Sequence, residues 1–215
     1  MESILFLIIF PLLTGVALLF VRNDSIRRII VRTAAFLLII ASILISVRYF
    51  DSGLELSLHK EWINYGMVAI ELALAVLLIA ISIKHKKYLP ILLVIIQTTI
   101  INWYEFSYSH EVEIHADIVI DRFSLIMILI TGVIGSLICV YALKYMEDYH
   151  HHHHEIKDRR NLFFFLLFVF LSAMFGIVLS NNLLWMYFFW EITTICSFLL
   201  IGYTRQDIAV KNSFK

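Results

Sequence analysis

Proline and cysteine each occur only twice in 215 residues, glycine seven times, and charged residues make up 16% of the chain. Two cysteines supply no disulfide framework. Both Cys139 and Cys196 sit inside apolar runs, so they read as small packing groups and not as ligands of a metal or iron–sulfur quartet. There is no Gly-rich phosphate loop, no paired-histidine haem arrangement inside an apolar run, no extended repeat and no flexible linker. Redox or nucleotide chemistry linked to this chain therefore belongs on another polypeptide. No folded soluble surface accompanies the basic loops, which excludes nucleic acid and favours lipid headgroups as their partners.

The chain is rich in apolar length. Hydrophobic residues make up 61% of it and its mean hydropathy is +0.87, so lipid is its solvent and a soluble core is not needed. Seven apolar segments are predicted: Ile4 to Val21, Ile29 to Tyr49, Gly66 to Ile83, Leu89 to Tyr104, Phe123 to Tyr145, Leu162 to Leu179 and Leu183 to Gly202. No small-residue cleavage site follows the first, which reads as a retained helix. Between the fourth and fifth, VEIHADIVID alternates apolar and polar residues and predicts a short strand or hairpin on the membrane surface. The loop Met146 to Arg160 and the tail from Tyr203 read as charged or polar connections.

Fourteen of the seventeen Lys and Arg residues fall in the alternate loops after segments one, three, five and seven. The positive-inside rule then places the N-terminus outside and the C-terminus in the cytoplasm. The expected fold is an all-α integral membrane protein of about seven transmembrane helices.

Two carboxylates lie within these segments. Glu191 stands near the middle of LLWMYFFWEITTICSFLLIG, close to the bilayer midplane, where an acid costs about 2.5 kcal/mol or more and faces a bundle interior or water. It reads as a proton or ion site, or as a polar tie between helices. Tyr187 and Thr194, one turn to either side, are placed to share its face, with helix packing as their alternative role. Glu71, in GMVAIELALAVLL, lies about a turn and a half from the outer end of its segment and reads as a second relay group or a structurally paired acid. Contiguous imidazoles from His150 to His154 fix no coordination geometry, so no metal site is assigned to them. Trp185, Trp190 and Tyr203 read as ordinary aromatic features of a span and its interfaces.

With these residues in view, NNLLWMYFFWEITTICSFLLIGY resembles the fifth-helix signature of the antiporter-like subunits shared by respiratory complex I, energy-converting membrane hydrogenases and multisubunit cation/proton antiporters. IVIDRFSLIMILITGVIGSLICVYALKYM resembles that family's third helix, including Asp121 and Ser124 at its entry. The resemblance covers Ile118 to Lys215. It implies two regions: residues 1–117, N-terminal transmembrane helices with an extra hairpin at about 66–104, and residues 118–215, the N-terminal portion of a proton-translocation unit. The extra hairpin leans toward the hydrogenase-type branch.

By that resemblance Glu191 is the family's key glutamate. The family's partner lysine and its second, inverted half would lie beyond Lys215, and Lys211 and Lys215 are poor substitutes. A piece of a split subunit and a truncated copy are both compatible with this. The resemblance implies a non-catalytic membrane subunit of a redox-driven ion pump in a prokaryotic cytoplasmic membrane. Other membrane subunits, one of them bearing the missing lysine helices, and peripheral redox subunits would be its partners. This chain would hold no cofactor, and iron–sulfur or other redox centres would lie on the partners. A transport subunit of a cation/proton antiporter without redox partner, and a structural scaffold, are the alternatives.

Overall fold

A computed structural model of the chain describes residues 2–57, 61–108, 116–153 and 157–214. Glu111, Glu113, the first residues of VEIHADIVID, His154 and Lys215 lie outside the described residues. Of the described residues, 83% are helical. It comprises α1 (Glu2–Phe20), α2 (Asp24–Tyr49), β1 (Leu54–Leu56), α3 (Glu61–Lys84), α4 (Tyr88–Tyr108), β2 (Ile118–Ile120), α5 (Arg122–Leu129), a π-helical segment (Ile130–Gly135), α6 (Ser136–His152), α7 (Arg160–Leu179), α8 (Leu183–Ile201) and α9 (Asp207–Ser213). α5, the π-helical segment and α6 follow without a break as one long rod from Arg122 to His152. Among the described residues, five helices are long and apolar enough to cross a membrane, and two shorter apolar helices, Ile4–Phe20 and Tyr88–Trp103, accompany them.

The chain forms two compact units. One comprises Met1–Leu56 and Ile118–Lys215, and the other Ser57–Asp117. In the first, α7 is the central helix, packed along α1 on one side and α8 on the other, while α2 lies against α1, α5 and α6. Its core is apolar and aromatic, with Phe164, Phe168, Phe175, Leu7, Leu18, Leu38 and Ile128 fully buried. Large apolar side chains such as Phe20, Phe36, Leu44 and Ile130 point outward, as expected of helices whose solvent is hydrocarbon. The second unit is the antiparallel pair α3–α4, in which Glu71, Ala75 and Ser82 form a buried stripe of α3.

Polar groups gather at the two ends of the first unit. At one end, Arg27 is buried, ion-paired with Asp24 and hydrogen-bonded to the Asn161 side chain and, at 3.2 Å, to the Val21 carbonyl. Asn161 in turn donates to the Leu19 carbonyl at 3.1 Å, and Arg160 pairs with Asp24 at 3.0 Å. Arg28 meets Glu147 at 3.0 Å. The loops that carry these charges thus come together at one end of the bundle. At the other end, β1 and β2 pair antiparallel, Leu54 with Ile120 and Leu56 with Ile118, and Ile118 bridges onward to Ser180 in the α7–α8 turn. The strand signal in DIVID is therefore real, and its partner comes from the connection after α2.

Four boundaries differ from the sequence reading. Helix α2 begins at Asp24 and not Ile29, because the Asn23 side chain caps it, accepting from the amides of Ser25 (2.8 Å) and Ile26 (3.4 Å). Helix α3 begins at Glu61, so Glu71 lies near mid-helix and not a turn and a half from the end. Residues predicted as the loop after Met146 remain helical to His152, where Lys144 pairs with Asp148 at 2.8 Å and with Glu147 at 3.8 Å in the i,i+4 and i,i+3 positions. The polar tail folds into α9, held by Phe214 edge-on to Phe198 of α8 with ring centroids 5.0 Å apart. Asp121 caps α5 through the amide and hydroxyl of Ser124, each at 2.7 Å. Those bonds hold its carboxyl below the ordinary value.

Candidate functional site

The turn Ser180-Asn181-Asn182 reverses the chain between α7 and α8. Ser180 donates to the Gly176 carbonyl at 2.7 Å, and Asn182 caps α8 by accepting from the Leu184 amide at 3.0 Å. The two helices then cross closely because Gly176 has no side chain: a Cβ there would come within 2.4 Å of the Phe189 ring. Two residues beyond that contact is Glu191, the ninth of nineteen residues in α8 and about 12 Å from the first.

Glu191 is 7% exposed, and its environment is two-sided. Phe188 and Ile195, three residues before and four after, are buried to a similar degree, and they form its packed side. On the other side Tyr187 is half-buried and Thr194 is exposed. An exposed stripe of Leu183, Trp190, Thr194 and Ile201 continues along the helix from there. The carboxylate therefore stands at the border of the face that α7 covers, sheltered from water by this chain alone yet one residue from its open surface. A carboxyl in apolar surroundings is a group that gains or loses a proton according to what approaches it.

The hydroxyls around it sort differently from the sequence reading. Thr194 donates to the Trp190 carbonyl at 3.1 Å from the exposed face. The buried threonine is Thr193, which donates to the same carbonyl at 2.7 Å, with Ser197 following at 2.9 Å on the Thr193 carbonyl. Two hydroxyls on one carbonyl weaken the local ladder just past Glu191, an arrangement that bends helices. Sequence spacing counts Thr193 out of the Glu191 face. Only the position of α7 shows that it is the buried one.

Glu71 is also buried, 6% exposed, but belongs to the α3–α4 unit, so the structure does not bring it together with Glu191, Tyr187 or Thr194 within one unit. Consecutive histidines on a helix point about 100° apart. His150 turns inward to the Tyr203 hydroxyl at 2.7 Å, while His152 and His153 bond the carbonyls of Asp148 and Tyr149. Tyr203 is thus a structural contact and not a generic interface aromatic. Its one sequence signal was its place immediately after the last span.

Residues 103–164 match the family model described as NADH-ubiquinone oxidoreductase (complex I), chain 5 N-terminus, and residues 180–215 match that described as NADH:quinone oxidoreductase/Mrp antiporter, transmembrane region. The chain is 30% identical over 130 residues to the chloroplastic NAD(P)H-quinone oxidoreductase subunit 5 of Aethionema cordifolium, covering 60% of this chain and 16% of that protein. The same subunit of Physcomitrium patens is 29% identical over 176 residues, 79% of this chain and 22% of the relative. The Na(+)/H(+) antiporter subunit A1 of Staphylococcus haemolyticus (strain JCSC1435) is 33% identical over 104 residues, 48% of this chain and 12% of the relative. The chain thus spans less than a quarter of the length of each relative it matches. Segments 103–164 and 180–215 of this membrane chain are thus similar to the antiporter-like family of complex I chain 5 and the Mrp-type antiporter subunits.

Proposed function

We propose that the chain is a proton-translocating membrane subunit of a redox-driven ion pump and that Glu191 carries its half of the proton path. The observation behind this is the position of that carboxylate: mid-helix in α8, 7% exposed, and adjoining the open stripe of Leu183, Trp190 and Thr194. On this reading Tyr187 and Thr194 flank the side from which a proton reaches Glu191, and Glu71 is a second relay group in the α3–α4 hairpin. That hairpin, about 66–104, is an addition to the N-terminal region 1–117, and residues 118–215 are the translocating portion.

The two shorter apolar helices complete seven spans, with the N-terminus outside and the C-terminus in the cytoplasm. The gathering of Arg27, Arg28 and Arg160 at one end of the bundle supports that orientation. The chain itself transfers no electrons. Iron–sulfur or other redox centres lie on peripheral partner subunits, and neighbouring membrane helices cover the open stripe. A prokaryotic cytoplasmic membrane is the location that fits, given bacterial relatives among the matches.

The likeness to antiporter subunit A1 supports a second reading, a cation/proton antiporter subunit without redox partner. Co-purification separates the two: iron–sulfur or hydrogenase-type subunits with the first, small membrane subunits alone with the second. The test of Glu191 is Glu191→Gln in the assembled complex, with proton uptake followed by a pH-sensitive dye in vesicles. Uptake falls at least tenfold while the subunit still inserts and assembles. Normal uptake by a fully assembled variant refutes the proton-path assignment, and lowered assembly with unchanged turnover per complex makes Glu191 a scaffold residue.

A further inference from the structure

Helical hydroxyls in this molecule have a default partner, the carbonyl three or four residues back. Thr14 donates to Phe10 at 2.8 Å and Ser197 to Thr193 at 2.9 Å, while Ser172 crosses to the Ile8 carbonyl at 2.6 Å. Three buried serines break the pattern. Ser42 and Ser46 of α2 are 0% and 7% exposed, Ser136 at the head of α6 is 0% exposed, and none of their hydroxyls hydrogen-bonds to a described residue.

These three belong to one interface. Ser42 and Ser46 are one turn apart on the buried face of α2, which packs against α5, the π-helical segment and α6. The Ser42 hydroxyl fills the notch over Gly132: a Cβ on that glycine would lie 1.8 Å from it. Ser136 follows Gly132 by one turn, across the π-helical stretch Ile130–Gly135. A π turn shifts the backbone register by one residue and leaves a carbonyl without its usual partner, and such turns recur at functional sites. Buried hydroxyls without partners are destabilising, and more so where lipid and not water surrounds the bundle. Ser42 and Ser136 flank this widened turn and Ser46 lies one turn further along α2, a row of hydroxyls whose bonding small polar ligands complete.

We propose that this seam between α2 and the π-helical turn is a buried water site, with water held by the hydroxyls of Ser42, Ser46 and Ser136. Water fits better than a cation, because the carboxylates on these helices lie at their ends: Asp24 is about 27 Å along α2 from Ser42, and Glu147 about 16 Å along α6 from Ser136. A bare ion there would have hydroxyl dipoles alone to offset its desolvation. The site is distinct from that of Glu191, since α8 packs on α7 and α9 whereas α2 packs on α1, α5 and α6. It holds whichever role Glu191 has.

The test uses the full chain in lipid nanodiscs, labelled by X-ray-generated hydroxyl radicals in ¹⁸O water, which mark side chains beside bound water. Phe175, whose ring lies 3.5 Å from a Cβ position on Gly132, is compared with Phe168, equally buried but outside the seam. Labelling of Phe175 at least threefold above Phe168 is expected; equal labelling overturns the proposal. The second measurement is thermal unfolding of Ser42→Ala and Ser136→Ala. Removing a dry, unpaired hydroxyl raises the midpoint, whereas removing one that holds water lowers it, here by about 2 °C or more. An unchanged or raised midpoint overturns the proposal. So does a wild-type midpoint that rises with sodium against choline chloride, which would put a cation in the seam. Should the variants fail to insert, the labelling of the unmodified chain decides.

Discussion

The Tyr203 hydroxyl lies 2.7 Å from His150 Nε2 and 3.3 Å from the backbone nitrogen of Arg159, so one phenol joins the ends of α8 and α6 to the start of α7. Its ring also stands edge-on to Phe163, with centroids 5.7 Å apart. The oxygen accepts from the Arg159 amide, and burial raises the hydroxyl above its ordinary pKa, which keeps its proton in place for the imidazole. Tyr203→Phe keeps the ring and removes the bond, leaving two half-buried partners unsatisfied. The expected loss is about 1–2 kcal/mol of stability, read as a lower unfolding midpoint in nanodiscs. Tyr203→Leu loses the ring contacts as well and falls further. A Tyr203→Phe midpoint equal to that of wild type would show the junction to be held by packing alone.

Asp158 sets a pH dependence at the same end. Its carboxylate bonds the Arg160 guanidinium at 2.7–3.1 Å, and that bond holds its pKa at about 2, below the ordinary 3.8. A carboxyl depressed by folding contributes stability above its unfolded value, and the contribution is lost as pH falls from about 4 through 2. The group is half exposed, so the effect is small and screened by salt. Asp158→Asn should flatten the midpoint-versus-pH curve between pH 4 and 2 and leave it unchanged in shape above pH 5.

Adjacent arginines on α2 should differ sharply. Arg27 is 4% exposed and serves Asp24, Asn161 and Val21 together, whereas Arg28 and Glu147 are a solvent-facing pair. Arg27→Met strands the polar groups it serves and should cost about 3 kcal/mol. Arg28→Met should cost less than about 1 kcal/mol. Equal losses, by thermal or denaturant unfolding of each variant, would mean that burial does not govern this cluster.

The α7–α8 crossing gives a paired test. Gly176→Ala drives a methyl into the Phe189 ring and should destabilise by about 1–3 kcal/mol, with α8 displaced at the level of Glu191. Adding Phe189→Leu, whose side chain is smaller and pivots more easily, should recover at least half of that loss. Without recovery, the cost would lie in the helix backbone and not in the crossing.

Much of this architecture is written in local patterns. Uninterrupted apolar length marks the apolar helices, and a single carboxylate among aromatic residues marks Glu191 as a buried acid in mid-helix, because both signals reside within one helix. What stayed hidden is of two kinds, local caps and pairs at helix ends and contacts between residues distant in sequence. The start of α2 follows from the Asn23 cap, and the extension of α6 to His152 follows from Lys144 and Arg28 meeting Glu147 and Asp148. Which threonine near Glu191 is buried depends on the arc of α8 that α7 covers. Nothing in ITGVIG distinguishes a π turn from an α turn, and the close contact of Ser42 over Gly132 is visible only in the fold.

The pairing of Leu56 with Ile118 has a bearing on descent. The chain leaves the larger unit at Leu56 and returns to it at Ile118, two paired residues, so gain or loss of the stretch 57–117 in a single genetic event keeps both ends of the remaining bundle in register. Lineages with and without it would share the same bundle, joined in the second case by an ordinary tight hairpin.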